Sequence, residues 1–191
     1  MGQCPSAASP STPRPWCRIP YRVGPRARLC RDPRSLGSHG RVLSDSVRTA
    51  YTIVRTRFRE FGINEKRLQE QQVAVHLVRI AEPKEGPSAG LAFVIGIVSA
   101  LSGRPVKPAT AVTGEVTLHG EVIGVGGIPW KIRAAAKAGR KIVLIPAENG
   151  KEVAHVPNDI LAKVEVIPIK TIQEALAYLL LEPITPEPTA E

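Results

Sequence analysis

The sequence predicts an α/β (α+β) domain that combines mixed sheets, a hairpin and flanking helices. Segments with helical periodicity alternate along the chain with short runs rich in β-branched residues, an arrangement that packs helices against a sheet. Glycine and proline residues stand at most of the predicted boundaries between these segments. The 191 residues are enough to bury one core without metal ions or disulfide bonds, so we expect a single globular domain.

The basic charge is concentrated in the N-terminal segment, residues 1–40. Of the net charge of +9, this segment contributes seven arginines and one acidic residue, whereas the rest of the chain has 19 basic and 16 acidic side chains. Its richness in Pro, Ser, Arg and Gly predicts disorder, and its Arg and Ser content is also typical of an organelle transit peptide. The globular domain is predicted over residues 41–182, followed by a Pro-rich disordered tail over residues 183–191. Because the globular part has little basic excess, we expect no specific nucleic-acid partner.

The cysteines are confined to the N-terminal segment, as Cys4, Cys17 and Cys30. The globular part is therefore predicted to hold no disulfide, cysteine nucleophile or zinc site. No apolar run approaches the roughly 18 residues that span a bilayer, so no membrane span is predicted. The predicted location is the cytoplasm, or an organelle matrix if the N-terminal segment is a transit peptide.

The first half of the globular part predicts two helices and a strand. An amphipathic helix of about 18 residues extends from Ser44 toward Gly62, because its apolar residues recur with the helical period. These residues are Val47, Ala50, Tyr51, Val54, Phe58 and Phe61. After a polar link, residues 73–80 are β-branched and roughly alternating, which predicts a strand. The small and apolar residues 89–103 predict a buried helix that Gly103 ends.

The second half predicts a hairpin followed by alternating strands and helices. In order, these are a hairpin over 111–123 that turns near His119, a helix from Pro129 to about Ala138, a strand over 141–146, short helical turns over 148–163, a strand over 165–169 and a helix over 171–180. Pro129 occupies the favoured first position of its helix. Thr171 and Glu174 have the spacing of a capping box, in which each satisfies a free backbone N–H of the other.

Two common kinds of ligand site are not predicted. Gly124, Gly126 and Gly127 do not form G-x-G-x-x-G, and the chain contains no G-x-x-x-x-G-K-[ST], so we expect no nucleotide cofactor in this chain. The histidines are scattered: His39, His76, His119 and His155. Their spacing matches no metal site, so no metal is expected. We predict surface positions for all except His76, which has a structural role on its strand.

The stretch PKEGPSAGL, residues 83–91, places a single serine at the start of the predicted buried helix. One interpretation makes Ser88 a helix cap, because a serine hydroxyl readily accepts a hydrogen bond from a free backbone N–H. The other makes it a nucleophile. Ala89 and Gly90 leave room for a second backbone, and free N–H groups at a helix start can stabilise an oxyanion. A serine nucleophile needs a base elsewhere in the chain.

Lys131 is the candidate base, since the chain offers no plausible His/Asp pair. It lies in the first turn of the helix that begins at Pro129, where the helix dipole disfavours a cation by about 0.3–1 kcal/mol. We expect its neighbours Ile128, Trp130 and Ile132 to exclude part of its water. Both effects lower the pKa of a lysine toward the range in which its neutral amine accepts a proton. The alternative is a lysine whose ammonium group extends into solvent.

Four stretches of the chain are distinctive. They are PKEGPSAG (83–90), SALSGRPV (99–106), AVTGEVTLHGEVIGVGG (111–127) and KIRAAAKAGRKIVLIPAEN (131–149). Together they resemble the proteolytic (C-terminal) domain of the Lon protease family, and the block around PKEGPSAG is highly specific. The similarity runs from about Gly40 to Leu181, which is nearly all of the globular part.

The resemblance implies a serine endopeptidase that uses a Ser-Lys dyad on the α/β fold of the family. Ser88 matches the nucleophile, Lys131 the base, and Thr113 a residue that helps to hold the lysine. The residues implied to shape the nucleophile turn are Gly86, Pro87 and Ala89. The family also implies a ring, usually a hexamer, that cleaves unfolded or damaged polypeptides. ATP would act only through an ATPase module that is missing from this chain or separate from it.

Two stretches depart from the family pattern. LVRIA follows His76 where the commonest members have a Pro-Glu-Gly turn, and Pro129-Trp130 precedes Lys131 where many members carry a charged pair. A second class of function also stays open, namely a non-catalytic adaptor or structural subunit that docks on a Lon-type ring. The presence of Ser88, Lys131 and Thr113 together favours the enzyme.

Overall fold

Helices and short strands alternate along the part of the chain that the structure covers. The computed structural model describes residues 33–36, 40–76 and 86–181. Its elements are β1 (Arg34–Leu36), α1 (Arg41–Thr56), α2 (Glu65–Glu70), β2 (Ala74–His76), α3 (Gly90–Ser102), β3 (Thr110–Val112), β4 (Glu115–Val116), β5 (Val122–Ile123), α4 (Ile128–Lys137), β6 (Ile142–Pro146), α5 (Asn158–Leu161), β7 (Glu165–Ile169) and α6 (Ile172–Leu179). Two 3-10 segments, Pro87–Ala89 and Ala147–His155, lie directly before α3 and directly after β6.

The strands form one three-stranded sheet and two strand pairs. The three-stranded sheet is parallel, in the order β3-β6-β7, and its register places Leu144 between Val112 and Ile167. β1 pairs with β2 in parallel, whereas β4 and β5 form an antiparallel hairpin with Val116 opposite Val122. The strands pair both in parallel and in antiparallel fashion and pack against helices, which confirms the predicted α/β class with mixed sheets.

Apolar side chains cover both faces of the three-stranded sheet. Along β6, Leu144 belongs to a first core cluster with buried residues of α1, α3 and α6, whereas Val143 and Ile145 belong to a second cluster with those of α4. This alternation is expected because successive side chains of a strand point to opposite faces. Helices α3 and α6 therefore cover one face, and α4 with α5 covers the other. Across the residues described, no helix is both long and apolar enough to cross a bilayer.

The two helices that carry the predicted site residues begin at the same edge of this sheet. Parallel strands end together, and we refer to that edge, after Val112 and Pro146, as the carboxyl edge. α3 precedes β3, and the N–H of Gly114, just after β3, donates to the carbonyl of Ser88 (3.0 Å). α4 precedes β6, and the N–H of Val125, three residues before α4, donates to the side chain of Asn149, three residues after β6. The carboxyl edge therefore holds the starts of α3 and α4, one from each face.

The first helix is shorter than the sequence predicts. It covers Arg41–Thr56, rather than extending from Ser44 to Gly62. Phe58 and Phe61 lie in the turn that follows, where Phe61 is fully buried. The helical spacing of apolar residues continues past the helix because the tight turn directs these phenyl rings toward the same core. Gly62 serves that turn, with a φ of 60°, and does not end the helix.

Two short elements lie where the sequence predicts none. β1 falls within the segment predicted to be disordered, so that prediction is wrong for Arg34–Leu36. Its pairing with β2 rests on backbone hydrogen bonds, which require no apolar pattern. α2 lies in the link predicted to be polar and irregular, and none of its residues is buried. The side chain of Asn64 starts it by accepting from the N–H of Lys66 (2.9 Å), so a cap rather than periodicity defines this helix.

Several predictions fall outside the described residues. Of the strand predicted over residues 73–80, Ala74–His76 forms β2, and residues 77–80 are not described. Residues 1–32, which include all three cysteines, and the predicted tail from residue 183 are likewise outside this range.

The remaining elements confirm the second half of the prediction, with two refinements. The hairpin consists of β4 and β5 alone. The strand is interrupted at Thr113 and Gly114, and β3, which precedes them, pairs with β6 instead. The predicted capping box of α6 is half formed. Thr171 Oγ1 accepts from the N–H of Glu174 (3.2 Å), but the Glu174 carboxylate accepts from the N–H of Lys170 (2.7 Å) rather than from that of Thr171. Gly103 ends α3 in the left-handed conformation, as predicted.

Candidate active site

The turn around Ser88 leaves the serine hydroxyl without a hydrogen bond to the residues that the structure describes. Gly86, with a φ of 111°, leads into the 3-10 turn Pro87–Ala89, which continues directly into α3. The cap positions of the turn and of the helix are Gly86 and Ala89, and no side chain caps either. The half-buried Ser88 makes no side-chain hydrogen bond with the residues that the structure describes. Capping therefore does not explain the serine.

The backbone of Ser88 is fixed to the carboxyl edge of the sheet. Its carbonyl oxygen accepts hydrogen bonds from the Gly114 N–H (3.0 Å) and the Thr113 hydroxyl (3.2 Å). The N–H of Leu91 returns a bond to the Gly114 carbonyl (3.1 Å). Thr113 is itself anchored, since its N–H donates to Leu144 on β6 (3.1 Å) and only 6% of its surface is exposed. The serine thus stands on a backbone held by the sheet, while its hydroxyl stays unengaged.

Gly90 allows this turn to approach the hairpin closely. A Cβ atom at Gly90 would lie 3.2 Å from Cγ2 of Val116 and 3.5 Å from its backbone nitrogen. This confirms the expectation that small residues beside Ser88 leave space for a second backbone. Ala89 packs against the edge of the first core cluster.

Lys131 is the fourth residue of α4, at the end of the first turn; the helix begins at Ile128, one residue before the predicted start at Pro129, and Gly127 precedes it. Its N–H donates to the carbonyl of Gly127 (3.1 Å), which has a φ of 76°. Its side chain is half-buried beside Ile128 and Ile132, both of which are fully buried as expected. Trp130 differs from the expectation. It is 71% exposed, with the guanidinium of Arg133 5.0 Å from its ring, and so lies on the outer side of the helix.

The protonation of Lys131 is shifted toward the neutral amine. Burial lowers the pKa of Lys131 below that of an ordinary lysine, and the nearby carboxylate of Glu152 opposes part of this shift. The Lys131 amine forms no hydrogen bond or ion pair with the described residues. The direction of this shift is the one that a general base requires.

The structure brings Ser88 and Lys131 to one edge but does not bond them. Each lies in the first turn at a helix start, and the two helices approach the carboxyl edge from opposite faces. No hydrogen bond joins Ser88 Oγ to Lys131 Nζ. The hydroxyl of Thr113, implied by the resemblance to hold the lysine, donates to the Ser88 carbonyl instead. The dyad, and the assistance of Thr113 to Lys131, stay predictions.

Sequence reasoning overlooked the residues that support α4. The side chains of Glu148 and Asn149, two and three residues after the end of β6, accept from the N–H groups of Gly124 (2.6 Å) and Val125 (2.9 Å). The available signal was an asparagine in the segment that follows a buried strand, because polar residues in such connections often have a role other than packing. The glycines of this turn serve the backbone, as predicted.

Three of the four histidines lie at the surface. His119 and His155 are exposed, as predicted, but His76 is exposed too, which gives no support to the structural role predicted for it; His39 is not described. Within residues 33–36, 40–76 and 86–181, no group of three or more His, Cys, Asp and Glu side chains could hold a metal ion.

Comparison with known proteins identifies the family. Residues 31–182 match the family described as the Lon protease (S16) C-terminal proteolytic domain. The Lon protease of Vibrio parahaemolyticus serotype O3:K6 is 43% identical over 144 residues, which cover 75% of this chain and 18% of that protein. That of Neorickettsia sennetsu is 42% identical over 153 residues, covering 80% and 18%. That of Escherichia coli K12 is 41% identical over 144 residues, covering 75% and 18%.

The chain spans about a fifth of the length of the curated relatives that it matches. The matched residues include both helix starts at the carboxyl edge and the turns that support them. The chain belongs to the Lon protease family, and residues 31–182 correspond to its C-terminal proteolytic domain.

Proposed function

We propose that this chain acts as a serine endopeptidase in which Ser88 is the nucleophile and Lys131 is the general base. The observation that carries the proposal is the presentation of Ser88. Its carbonyl is held by two hydrogen bonds, whereas its hydroxyl, at the start of a helix, neither caps that helix nor bonds to a described residue. The lowered pKa of Lys131 supplies the matching base, because a neutral amine can accept the serine proton.

The proposed reaction proceeds through an acyl-enzyme. Neutral Lys131 takes the proton of the Ser88 hydroxyl as Oγ attacks the peptide carbonyl carbon. Backbone N–H groups near the serine stabilise the resulting oxyanion. The intermediate collapses, the C–N bond breaks, and the Lys131 ammonium gives its proton to the leaving amine. Water then attacks the ester, losing a proton to Lys131, and Ser88 is regenerated when that proton returns to Oγ.

The proposed proton transfer requires Ser88 Oγ and Lys131 Nζ to come within roughly 3 Å of each other. Catalytic hydrogen bonds are often long in the absence of substrate and shorten when it binds. The anchoring of both backbones at the carboxyl edge supports such an approach, since each side chain leaves a fixed point on its helix start.

We further propose that the substrates are unfolded or damaged polypeptides and that the chain works in a ring, usually hexameric, as the family resemblance implies. ATP is proposed to act through an ATPase module outside this sequence, because none of the 191 residues forms a nucleotide-binding motif. Support for these points comes from the family membership, in which every relative named above is a Lon protease.

The test is hydrolysis of a fluorogenic peptide and of unfolded casein by the chain, with and without ATP. Ser88→Ala should lower the rate by about 1000-fold or more, and Lys131→Ala nearly as much, with unchanged circular dichroism. Ser46→Ala is the matched control, since the Ser46 hydroxyl bonds to Val42 on the exposed side of α1. Wild-type cleavage by Ser88→Ala would refute the nucleophile. Binding of casein without cleavage by the unsubstituted chain would favour the adaptor function.

A further inference from the structure

The side chain of the buried Asn149 forms two hydrogen bonds with the turn that precedes α4, the helix of Lys131, and we call this contact the clamp. Asn149 is 8% exposed and is the third residue of the 3-10 segment that follows β6. Its Oδ1 accepts from the Val125 N–H (2.9 Å), and its Nδ2 donates to the Val125 carbonyl (3.0 Å). The side-chain amide therefore pairs with both polar groups of one backbone residue. Neither an aspartate nor an apolar side chain can form this two-point contact, because one lacks the donor and the other lacks both groups.

The same amide also holds an acidic side chain. Asn149 Nδ2 also donates to Oε1 of Glu152, within the same 3-10 segment, over an N···O distance of 2.5 Å. Asn149 thus uses both of its donors and one acceptor, and leaves no polar group of its side chain unpaired. A buried amide whose polar groups are all paired makes the groups that it bonds more rigid, and these are the Val125 backbone and the Glu152 carboxylate.

The clamped turn leads directly to the candidate base. Val125 stands two residues before Gly127, whose carbonyl accepts the first hydrogen bond of α4 from the Lys131 N–H (3.1 Å). A short, continuous path of backbone and hydrogen bonds therefore runs from Asn149 through Val125 and Gly127 to Lys131. The other branch of the clamp ends at Glu152, whose charge acts on the Lys131 amine.

We infer that Asn149 is a positioning residue for Lys131, because it fixes the turn that starts α4 and orients the Glu152 carboxylate beside that lysine. The inference rests on the proposed role of Lys131 as the base. Asn149 forms its side-chain hydrogen bonds with Val125 and Glu152 rather than with Ser88 or Lys131, so it acts through the turn and through Glu152.

The electrostatic part of the inference is specific to Glu152. Charged and titratable side chains on the elements packed against α4 are Glu148, Lys151, Glu152, His155 and Asp159, and α4 itself adds Arg133 and Lys137. Of these, Glu152 is the one whose charge raises the pKa of Lys131 against the effect of burial. A carboxylate near an amine favours the ammonium form. Its removal should therefore lower the pKa of Lys131 further.

The first experiment measures the protonation of Lys131 without relying on catalysis. Lys131 is labelled with acetic anhydride at a series of pH values, and the labelled fraction is read by mass spectrometry, since only the neutral amine reacts. Glu152→Gln keeps an oxygen that can accept from Asn149 but removes the charge, so the labelling midpoint should move to lower pH. Asp159→Asn is the matched control, because it removes an exposed carboxylate from α5, which also packs against α4, and should leave the midpoint unchanged.

A double-mutant cycle then tests the role of Asn149. In an Asn149→Leu background, which removes all three side-chain hydrogen bonds, Glu152→Gln should shift the midpoint less than it does in the wild-type chain. Equal shifts in the two backgrounds would show that Asn149 does not orient Glu152. No shift in the wild-type background would show that Glu152 does not act on Lys131. Either result overturns the inference.

Peptide hydrolysis provides the second readout. Asn149→Leu should lower kcat by about 10–100-fold with a smaller change in KM, because a displaced base slows the reaction more than it weakens substrate binding. Glu152→Gln should instead shift the rise of kcat/KM to lower pH. All labelling experiments are repeated in Ser88→Ala, which cannot cleave if the proposed function is correct. Cleavage by Ser88→Ala would overturn the proposed function alone, whereas the labelling results decide on Asn149 and Glu152 by themselves.

Discussion

Replacement of Thr113 by valine isolates one hydrogen bond of the candidate site. The two side chains have nearly the same shape, so the substitution removes the hydroxyl and little else. In the folded chain that hydroxyl donates to the Ser88 carbonyl over 3.2 Å from a position that is 6% exposed. The backbone N–H of Thr113, which donates to Leu144, is unaffected.

The structure sets the size of the effect. The Ser88 carbonyl keeps its second hydrogen bond, from the Gly114 N–H at 3.0 Å, so no buried acceptor loses its last partner. The cost should therefore be that of one ordinary hydrogen bond, about 1 kcal/mol, rather than that of an orphaned polar group. For a chain of this length, such a loss lowers the Tm by about 2–4 °C. Thr113→Ala should cost more, because it also removes a buried methyl group worth about 1 kcal/mol.

Urea unfolding followed by circular dichroism measures this change, with Thr113→Ser as the control that keeps the hydroxyl. The reasoning is refuted if Thr113→Val is as stable as the wild type, or if Thr113→Ala, which loses both the hydroxyl and the methyl group, is as stable as Thr113→Val. Peptide hydrolysis adds a second comparison. If the hydroxyl also holds Lys131, as the family resemblance implies, Thr113→Val should lower kcat by more than its loss of stability explains.

Two further predictions follow from Lys131 and from α6. Because the base must be neutral and burial lowers the pKa of Lys131, kcat/KM should rise with pH and reach its plateau below the pKa of an ordinary lysine; a rise at the pKa of free lysine would contradict the assignment. Thr171→Ala should reduce the free energy of unfolding by about 1 kcal/mol, since it removes the oxygen that accepts from the Glu174 N–H, whereas Thr171→Ser should retain most of that stability in the same urea titration.

The elements that the sequence predicts best are those whose side chains are buried on most sides. In α3 and in β6, a continuous run of apolar residues is enough to predict a buried element, and no information from the rest of the chain is needed. Gly103 marks the end of α3 because its left-handed conformation, with a φ of 78°, is costly for other residues. The position of Ser88 at a helix start also follows from local sequence, since Pro87 fits only near such a start.

Features that depend on partners distant in the chain could not be predicted. The three residues of β1 form a strand because they pair with β2, 40 positions later in the chain, and three residues are too few to show a periodic pattern. The clamp of Asn149 on Val125 joins a side chain to a backbone, and such bonds leave no apolar pattern in the sequence. The outward position of Trp130 likewise depends on which side of α4 meets the core.

The late position of the Asn149 clamp has a consequence for synthesis. Chains emerge from the ribosome with their N-terminal residues first, and β6 and the 3-10 segment after it follow both α3 and α4 in the chain. Ser88 and Lys131 are therefore synthesised before Leu144 and Asn149, the residues that anchor Thr113 and the turn before α4. The carboxyl edge becomes complete only when residues up to about 155 have been made and folded. The order of the elements thus delays completion of the candidate site until the domain is nearly complete, so that under the proposed function an unfinished chain lacks the anchored turns that hold Ser88 and Lys131.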